Sequence, residues 1–476
     1  MSKVLKNYLY NMSYQILVMI LPFITTPYVS RVLKPDGVGA YNYAYSIVSI
    51  MIVLAQLGTN LYGQREIAYV QNDQKKCSIV FEEIFLIRLI STCIIIPLYF
   101  LIAILSDENT YLLLAMSIFL FANIFDISWL YQGLEDFKKT AIRNIGVKLV
   151  GVCLIFLLVH EKKDLLIYTF ILSGSQLMGN FTLWIGLNKR VGYINLHELN
   201  LKKHMKPILG LFLPTAAMYI YVYVDKILLG YISDNVQVGY YSQAEKIIKL
   251  LLTVITSLGA VLLPHISHAI NQKDMKKVIR EVRKAISFVI HIGLPMVFGV
   301  MIVSSRFIPL FLGEEYCACI PLFSILSVLI IIIGLASVVG QAVLVPMRKQ
   351  KIYTLSIVAG ASCNLVMDVC LIPRWGALGA SVGTVAAELT VTTLQLYFVN
   401  KILSANIMQT IIQTYKCYIA VLLMLIIGSL LNAVLPYSII YLVLIVLVCV
   451  ATYGGTLLLL RDNDFLSILK VRGNAK

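Results

Sequence analysis

The chain has 476 residues, of which 59% are apolar and only 13% charged, with a net charge of +15 and a mean hydropathy of +0.85. A soluble chain is nearer about 45–50% apolar and about 25% charged. The composition therefore excludes most soluble enzyme classes and any sizeable extramembrane domain, and predicts an all-α integral membrane protein.

Apolar runs in chain order predict about 14 transmembrane helices, at about 9–33, 39–63, 79–105, 110–134, 141–160, 165–187 and 207–231, then 240–263, 284–305, 318–342, 353–372, 377–400, 411–432 and 437–460. The basic start and apolar run at the N-terminus lack a small-residue cleavage site, so the first run is expected to be a retained helix. If the N-terminus is cytoplasmic, 28 Lys and Arg fall in inner segments and 6 in outer loops, which places both termini in the cytoplasm. Most of the positive charge is then a topology signal, and attraction to anionic membrane lipid explains it better than a nucleic-acid partner. The nine cysteines show no CxxC and no framework spacing, and are read as small buried side chains.

A second copy of one design runs through the chain. Leu21-Pro22 recurs as Leu213-Pro214, Val38-Gly39-x-Tyr41-x-x-Ala44 as Val238-Gly239-x-Tyr241-x-x-Ala244, and Leu57-Gly58-x-x-Leu61 as Leu258-Gly259-x-x-Leu262. An offset near 200 residues makes two six-helix lobes in the same orientation, a parallel repeat typical of transporters that rock two lobes around a cavity. The expected organisation is a lobe at 1–190, a cytoplasmic linker at 191–206, a second lobe at 207–402, and helices 13 and 14 with a cytoplasmic tail at 403–476.

No GxxxxGK[ST] loop is present for an ATP-driven pump, and neither an HExxH helix nor a Ser/His/Asp order appears. The pair His265 and His268 has metal-compatible spacing but reads as a helix-end turn, so no metal or cofactor is expected. The informative residues are charges inside the bilayer, each costing about 2.5–3.5 kcal/mol on insertion scales unless it faces a cavity or a partner.

Arg88 lies about 13 Å into the third helix at 1.5 Å per residue, and Lys148 lies well inside the fifth. They form either a cationic cavity for a phosphate-bearing substrate or a structural pairing with Asp126 or Glu83. Asp225, Lys226, Glu245 and Lys246 sit at similar depth on consecutive helices and read first as an interhelical charge network. Asp368 is near the outer end of helix 11. Glu388 has no charged neighbour in sequence, so it either carries a coupling proton or hydrogen-bonds nearby Thr or backbone groups. The expected substrate contacts are Arg88, Lys148, Asp126 and Lys226, and the expected ion-coupling carboxylates are Glu388, Asp225 and Asp368. Tyrosines cluster at Tyr41, Tyr43, Tyr45 and at Tyr219, Tyr221, Tyr223, where a membrane-interface role is favoured over sugar stacking.

Four segments carry a family resemblance: Thr26 to Ala68, FDISWLYQGLEDFKK (Phe125 to Lys139), Val224 to Ile247 and LIPRWGALGASVGTVAAE (Leu371 to Glu388). In order and spacing they resemble the polysaccharide flippases for O-antigen or capsule repeat units, within the superfamily that also holds drug and toxin exporters. The resemblance spans helices 1 to 12 and is weak across the last two. It implies two six-helix bundles around a cavity in a bacterial plasma membrane. It also implies undecaprenyl diphosphate-linked oligosaccharide as substrate, alternating access driven by an ion gradient, no hydrolytic activity, and polysaccharide polymerase and chain-length machinery as partners. Carried over, Arg31 becomes a cation near the cavity mouth, and Asp126, Trp129 and Gly133 belong to the motif of helix 4. The alternative within the superfamily is a cation-coupled exporter of small drugs or toxins.

Overall fold

The computed structural model describes residues 3–106, 109–192 and 199–470, and every regular element among them is helical. In order these are α1 Lys3–Gln56, α2 Thr59–Val70, α3 Gln74–Ile104, α4 Thr110–Ile124, α5 Ser128–Gly133, α6 Phe137–Leu158, α7 Leu165–Trp184, α8 Lys202–Ile232 and α9 Asn235–Asn271. They continue with α10 Met275–Phe311, α11 Ile320–Ser327, α12 Leu329–Ala336, α13 Gln350–Trp375, α14 Ala377–Leu403, α15 Met408–Gln413, α16 Tyr415–Val434, α17 Ile439–Leu459 and α18 Asn463–Lys470. The expected linker at 191–206 falls partly on 193–198, outside the described residues, as does the side chain of His265.

Among the described residues ten stretches are long and apolar enough to cross a membrane, eleven if the bent α8 counts as one. One of the ten, Tyr14–Val70, has 57 residues. That is about 85 Å of helix against a hydrocarbon core of about 30 Å, so it must turn back. It does so at Lys34, where φ is 60° and ψ 173° ahead of Pro35. A residue before proline is driven out of the helical region, and here the break separates two expected helices. Leu57 and Gly58 (φ 48° and 80°) end the second of them. In the other copy of that motif, residues 258 and 259 stay inside the continuous α9. The expected count of fourteen also requires α7, which is long enough but carries polar residues such as Gln176, and the 37-residue α9.

The chain forms two compact units, Met1–Gly239 and Tyr240–Lys476. Their boundary falls after α8, later than the linker suggested, because α8 packs on α1. Glycines allow that approach. A Cβ on Gly39 would lie 1.6 Å from the Asn235 carbonyl oxygen, and one on Gly239 2.0 Å from that of Pro35. The two glycines of the repeated motif thus touch each other's equivalent positions, 200 residues apart.

Within the first unit, Trp129, Tyr131, Phe81, Tyr62 and Ile67 build one core, and Ala44, Val48, Tyr99 and Met116 another. The motif residues Trp129 and Gly133 join α5 to α2. A Cβ on Gly63 would meet the Trp129 ring at 2.5 Å, and one on Gly133 the Gln64 carbonyl at 2.7 Å.

In the second unit α13 and α14 pack closely through Gly360, Gly379 and Gly383, the small-residue contact that lets membrane helices approach without a hydrophobic driving force between them. The appended α16 and α17 are clasped to α10 at two places. Arg306, just past the expected helix at about 284–305, is buried and donates to the carbonyls of Leu435 and Pro436 at 2.6 Å and to that of Asn432. Buried His291 contacts Asp462 at 3.1 Å, and Tyr453 donates to the His291 carbonyl at 2.8 Å.

Candidate functional site

The membrane charges of the first unit centre on a break in the helix between α4 and α5. Breaking a helix frees carbonyls that no water can satisfy inside a bilayer, so side chains must take them. Asn180 donates to the Ala122 carbonyl at 2.6 Å, Trp184 Nε1 to that of Phe125 at 2.9 Å, and Arg88 Nη1 to that of Asp126. Arg88 Nη2 also reaches Asn60 Oδ1 at 2.8 Å and Asn123 Oδ1 at 3.3 Å, while Gln56 donates to Asn123 Oδ1 at 2.8 Å. The Asp126 carboxylate receives the Ser128 N–H at 3.0 Å and lies within electrostatic range of both Arg88 and Arg143.

Arg88 is thus a fully buried latch (0% exposed) that holds three helices around the break. The structure brings it together with Asp126, one of the two pairings the sequence left open. Glu83, the other, serves a separate cluster, accepting from Lys203 and His204 at 2.8 Å and from the Asn200 N–H at 2.7 Å. His204 Nδ1 meets the Tyr62 hydroxyl at 2.7 Å, so the start of α8 is tied to α2 and α3.

Lys148 is not part of the Arg88 network. It is exposed in the middle of α6 and makes no hydrogen bond or ion pair among the described residues. Arg31 is exposed on α1, one turn before the break at Lys34.

The tyrosines divide differently from the sequence expectation. Tyr41 and Tyr45 stack at 5.8 Å, Tyr219 and Tyr223 at 6.1 Å, and Tyr45 meets Tyr223 edge-on at 6.3 Å. Tyr168 closes on Tyr41 at 4.9 Å and Phe119 on Tyr45 at 5.6 Å. A continuous aromatic wall therefore crosses α1, α4, α7 and α8. Lys226 sits beside it, its ammonium 5.8 Å from the Tyr223 ring centroid, a cation–π distance. Asp225 and Lys226 are both buried. Sequence reading missed this wall because its members come from four helices; only the i, i+4 spacing of Tyr41 with Tyr45 and Tyr219 with Tyr223 hinted at it.

In the second unit Asp368 on α13 is fully buried against α14, and a Cβ on Gly383 would lie 2.3 Å from its Oδ1. Glu388 is half-buried on α14, one turn from Thr384, whose hydroxyl meets that of Tyr241 at 2.8 Å. Asp368 and Glu388 thus share the α13–α14 pair. Glu245, also buried, is paired with Lys249 at 2.5 Å.

Among the described residues the fold is all-helical with polar and aromatic groups gathered inside its units, and solved membrane transporters share it. The solved structure of the lipid II flippase MurJ in an inward closed conformation matches with a TM-score of 0.74 at 16% identity, covering 96% of this chain and 99% of that one. An inward-facing multidrug resistance MATE family transporter of the MOP superfamily matches with a TM-score of 0.61 at 14% identity, over 81% and 98%. The sequence matches the family described as polysaccharide biosynthesis protein over residues 4–270, and the chain belongs to that family. It is 26% identical over 393 residues to a putative O-antigen transporter of Escherichia coli (strain K12), covering 81% of this chain and 94% of that one. It is 23% identical over 407 residues to the capsular polysaccharide biosynthesis protein CapF of Staphylococcus aureus, over 83% and 99%. These relatives and the fold fit a multi-pass membrane polysaccharide flippase: the Escherichia coli relative is named a transporter and MurJ a flippase.

Proposed function

We propose that the chain is a flippase that moves undecaprenyl diphosphate-linked oligosaccharide repeat units from the inner to the outer leaflet of a bacterial plasma membrane. Both termini are cytoplasmic in this reading, the two repeated lobes alternate access to a central cavity, and an ion gradient drives the cycle. The observation that carries it is the tyrosine wall with Lys226 at its edge. Ring faces stack on sugars, hydroxyls bond them, and a lysine supplies a point charge for phosphate. The physical task suits such a surface: a diphosphate with hydrated sugars cannot cross hydrocarbon unaided, whereas a polyprenyl tail stays in lipid. No covalent bond changes are needed.

Lys148 and Arg31, both exposed, are assigned to the diphosphate, with Arg88 and Asp126 shaping the helix break behind them. Glu388 is assigned to ion coupling, with Asp225 and Asp368 as the other carboxylates of that step. Polysaccharide polymerase and chain-length machinery receive the product.

The test is deletion of the gene in its own host followed by extraction of lipid-linked saccharides. Accumulation of completed units together with loss of surface polysaccharide is the expected result. Intact polysaccharide with raised sensitivity to small drugs would replace this reading with that of a cation-coupled exporter.

A further inference from the structure

Beyond the transport path, α6 and α7 enclose a groove of about 620 Å³ on the first unit. Its walls are apolar and open outward: Ile142, Val150 and Met178 are 53%, 55% and 65% exposed. Its basic end holds Lys138 and Arg143. From Lys138 to Val150 the helix rises about 18 Å, more than half of a hydrocarbon core of about 30 Å.

The charges at that end are not all committed. Lys139 is spent on the Tyr131 hydroxyl and the carbonyls of Leu183 and Ile185, at 2.7, 3.0 and 2.7 Å, and Asp136 pairs with Arg190 at 3.2 Å. Lys138 is exposed and makes no hydrogen bond or ion pair among the described residues. Arg143 donates one Nη1 hydrogen bond to Asn144, while its buried Nε and Nη2 have no acceptor among the described residues. Those two nitrogens form one edge of the guanidinium, the edge that binds phosphate or carboxylate with two parallel hydrogen bonds. Gly179 makes room for this arm: a Cβ there would lie 2.1 Å from Val147 and 3.4 Å from Arg143 Nε.

We propose that this groove is a binding site for one anionic glycerophospholipid of the surrounding bilayer. Arg143 and Lys138 hold its phosphate, and an acyl chain lies along Ile142, Val150 and Met178. Basic pockets between membrane helices at the headgroup level bind anionic lipids for this reason: charge neutralisation and apolar burial occur at one place. The site lies apart from the tyrosine wall and does not depend on the transport reading.

The experiment is native mass spectrometry of the full chain titrated with phosphatidylglycerol and with phosphatidylcholine. One phosphatidylglycerol should be retained at least tenfold better than phosphatidylcholine. Arg143→Gln should remove that preference, and Arg143→Lys should restore part of it. Gly146→Phe should abolish retention of either lipid with an unchanged melting temperature, because a Cβ at Gly146, which lines the groove, meets nothing within 4 Å. Val150→Trp is a second plug should Gly146→Phe prove unstable. Equal retention of the two lipids, or a plugged groove that still holds phosphatidylglycerol, would overturn the proposal. So would displacement by inorganic phosphate, which would make the ligand a free anion, or by undecaprenyl phosphate at equal concentration, which would give the groove to the polyprenyl carrier.

Discussion

At the residue scale, two cations of similar depth have opposite surroundings. Arg88 is enclosed and its Nη1 and Nη2 donate to the Asp126 carbonyl, Asn60 and Asn123. Removing it strands the Asp126 carbonyl and Asn60 Oδ1 in a buried place and takes a guanidinium from the neighbourhood of the Asp126 carboxylate, so Arg88→Ala should cost about 3 kcal/mol or more. The protein should then fall in abundance together with surface polysaccharide, and in purified form its melting temperature should drop. Normal abundance with transport lost would make Arg88 a substrate contact instead. Lys148 has no such partners. Lys148→Ala should leave the melting temperature within a degree or two while lowering transport of the diphosphate-linked substrate roughly tenfold, the effect of losing one charge-assisted contact of about 1.5 kcal/mol. Lys148→Arg should retain most of the activity.

At the scale of elements, glycines and helix breaks decide which helices meet. Gly39 and Gly239 press against carbonyls of Asn235 and Pro35, and backbone cannot move aside as a side chain can. Gly39→Leu or Gly239→Leu should therefore force α8 and the start of α9 off α1. A cysteine pair at Pro35 and Asn235 should cross-link readily in the otherwise unchanged chain and lose most of that yield when either leucine is added. The break between α4 and α5 is a second such device. Trp184→Phe keeps the packing against Phe125 but deletes the Nε1–H that caps the Phe125 carbonyl, and should destabilise by about 1–3 kcal/mol in thermal unfolding. Neither device was legible as such. Gly39, Gly239 and the Asp126–Gly133 motif stood out by recurrence or resemblance, whereas their partners 200 or 60 residues away did not.

For the whole molecule, the proposed gradient coupling involves Glu388 and Asp368 of the second unit and Asp225 of the first. Glu388→Gln keeps the size and hydrogen-bonding capacity of the side chain and removes its titration. Transport in vesicles should lose its dependence on a proton gradient, while binding of the lipid-linked substrate is retained. Unchanged gradient dependence would remove Glu388 from the coupling step.

Composition alone determined that this chain lives in a membrane as helices, because too few charges remain to hydrate a soluble surface and only helices satisfy the backbone locally in lipid. Hydropathy located most helices, and short motifs recur at an offset near 200. Sequence also singled out Arg88, Lys148 and Glu388, since an ionisable residue in an apolar run is conspicuous by cost. It did not separate the latched Arg88 from the open Lys148, nor raise Arg143, nor assemble Tyr41, Tyr45, Tyr168, Tyr219 and Tyr223 into one wall. Those distinctions depend on which faces of different helices meet. In a chain that is apolar almost throughout, periodicity carries little record of facing, and small residues and unsatisfied carbonyls settle it through packing.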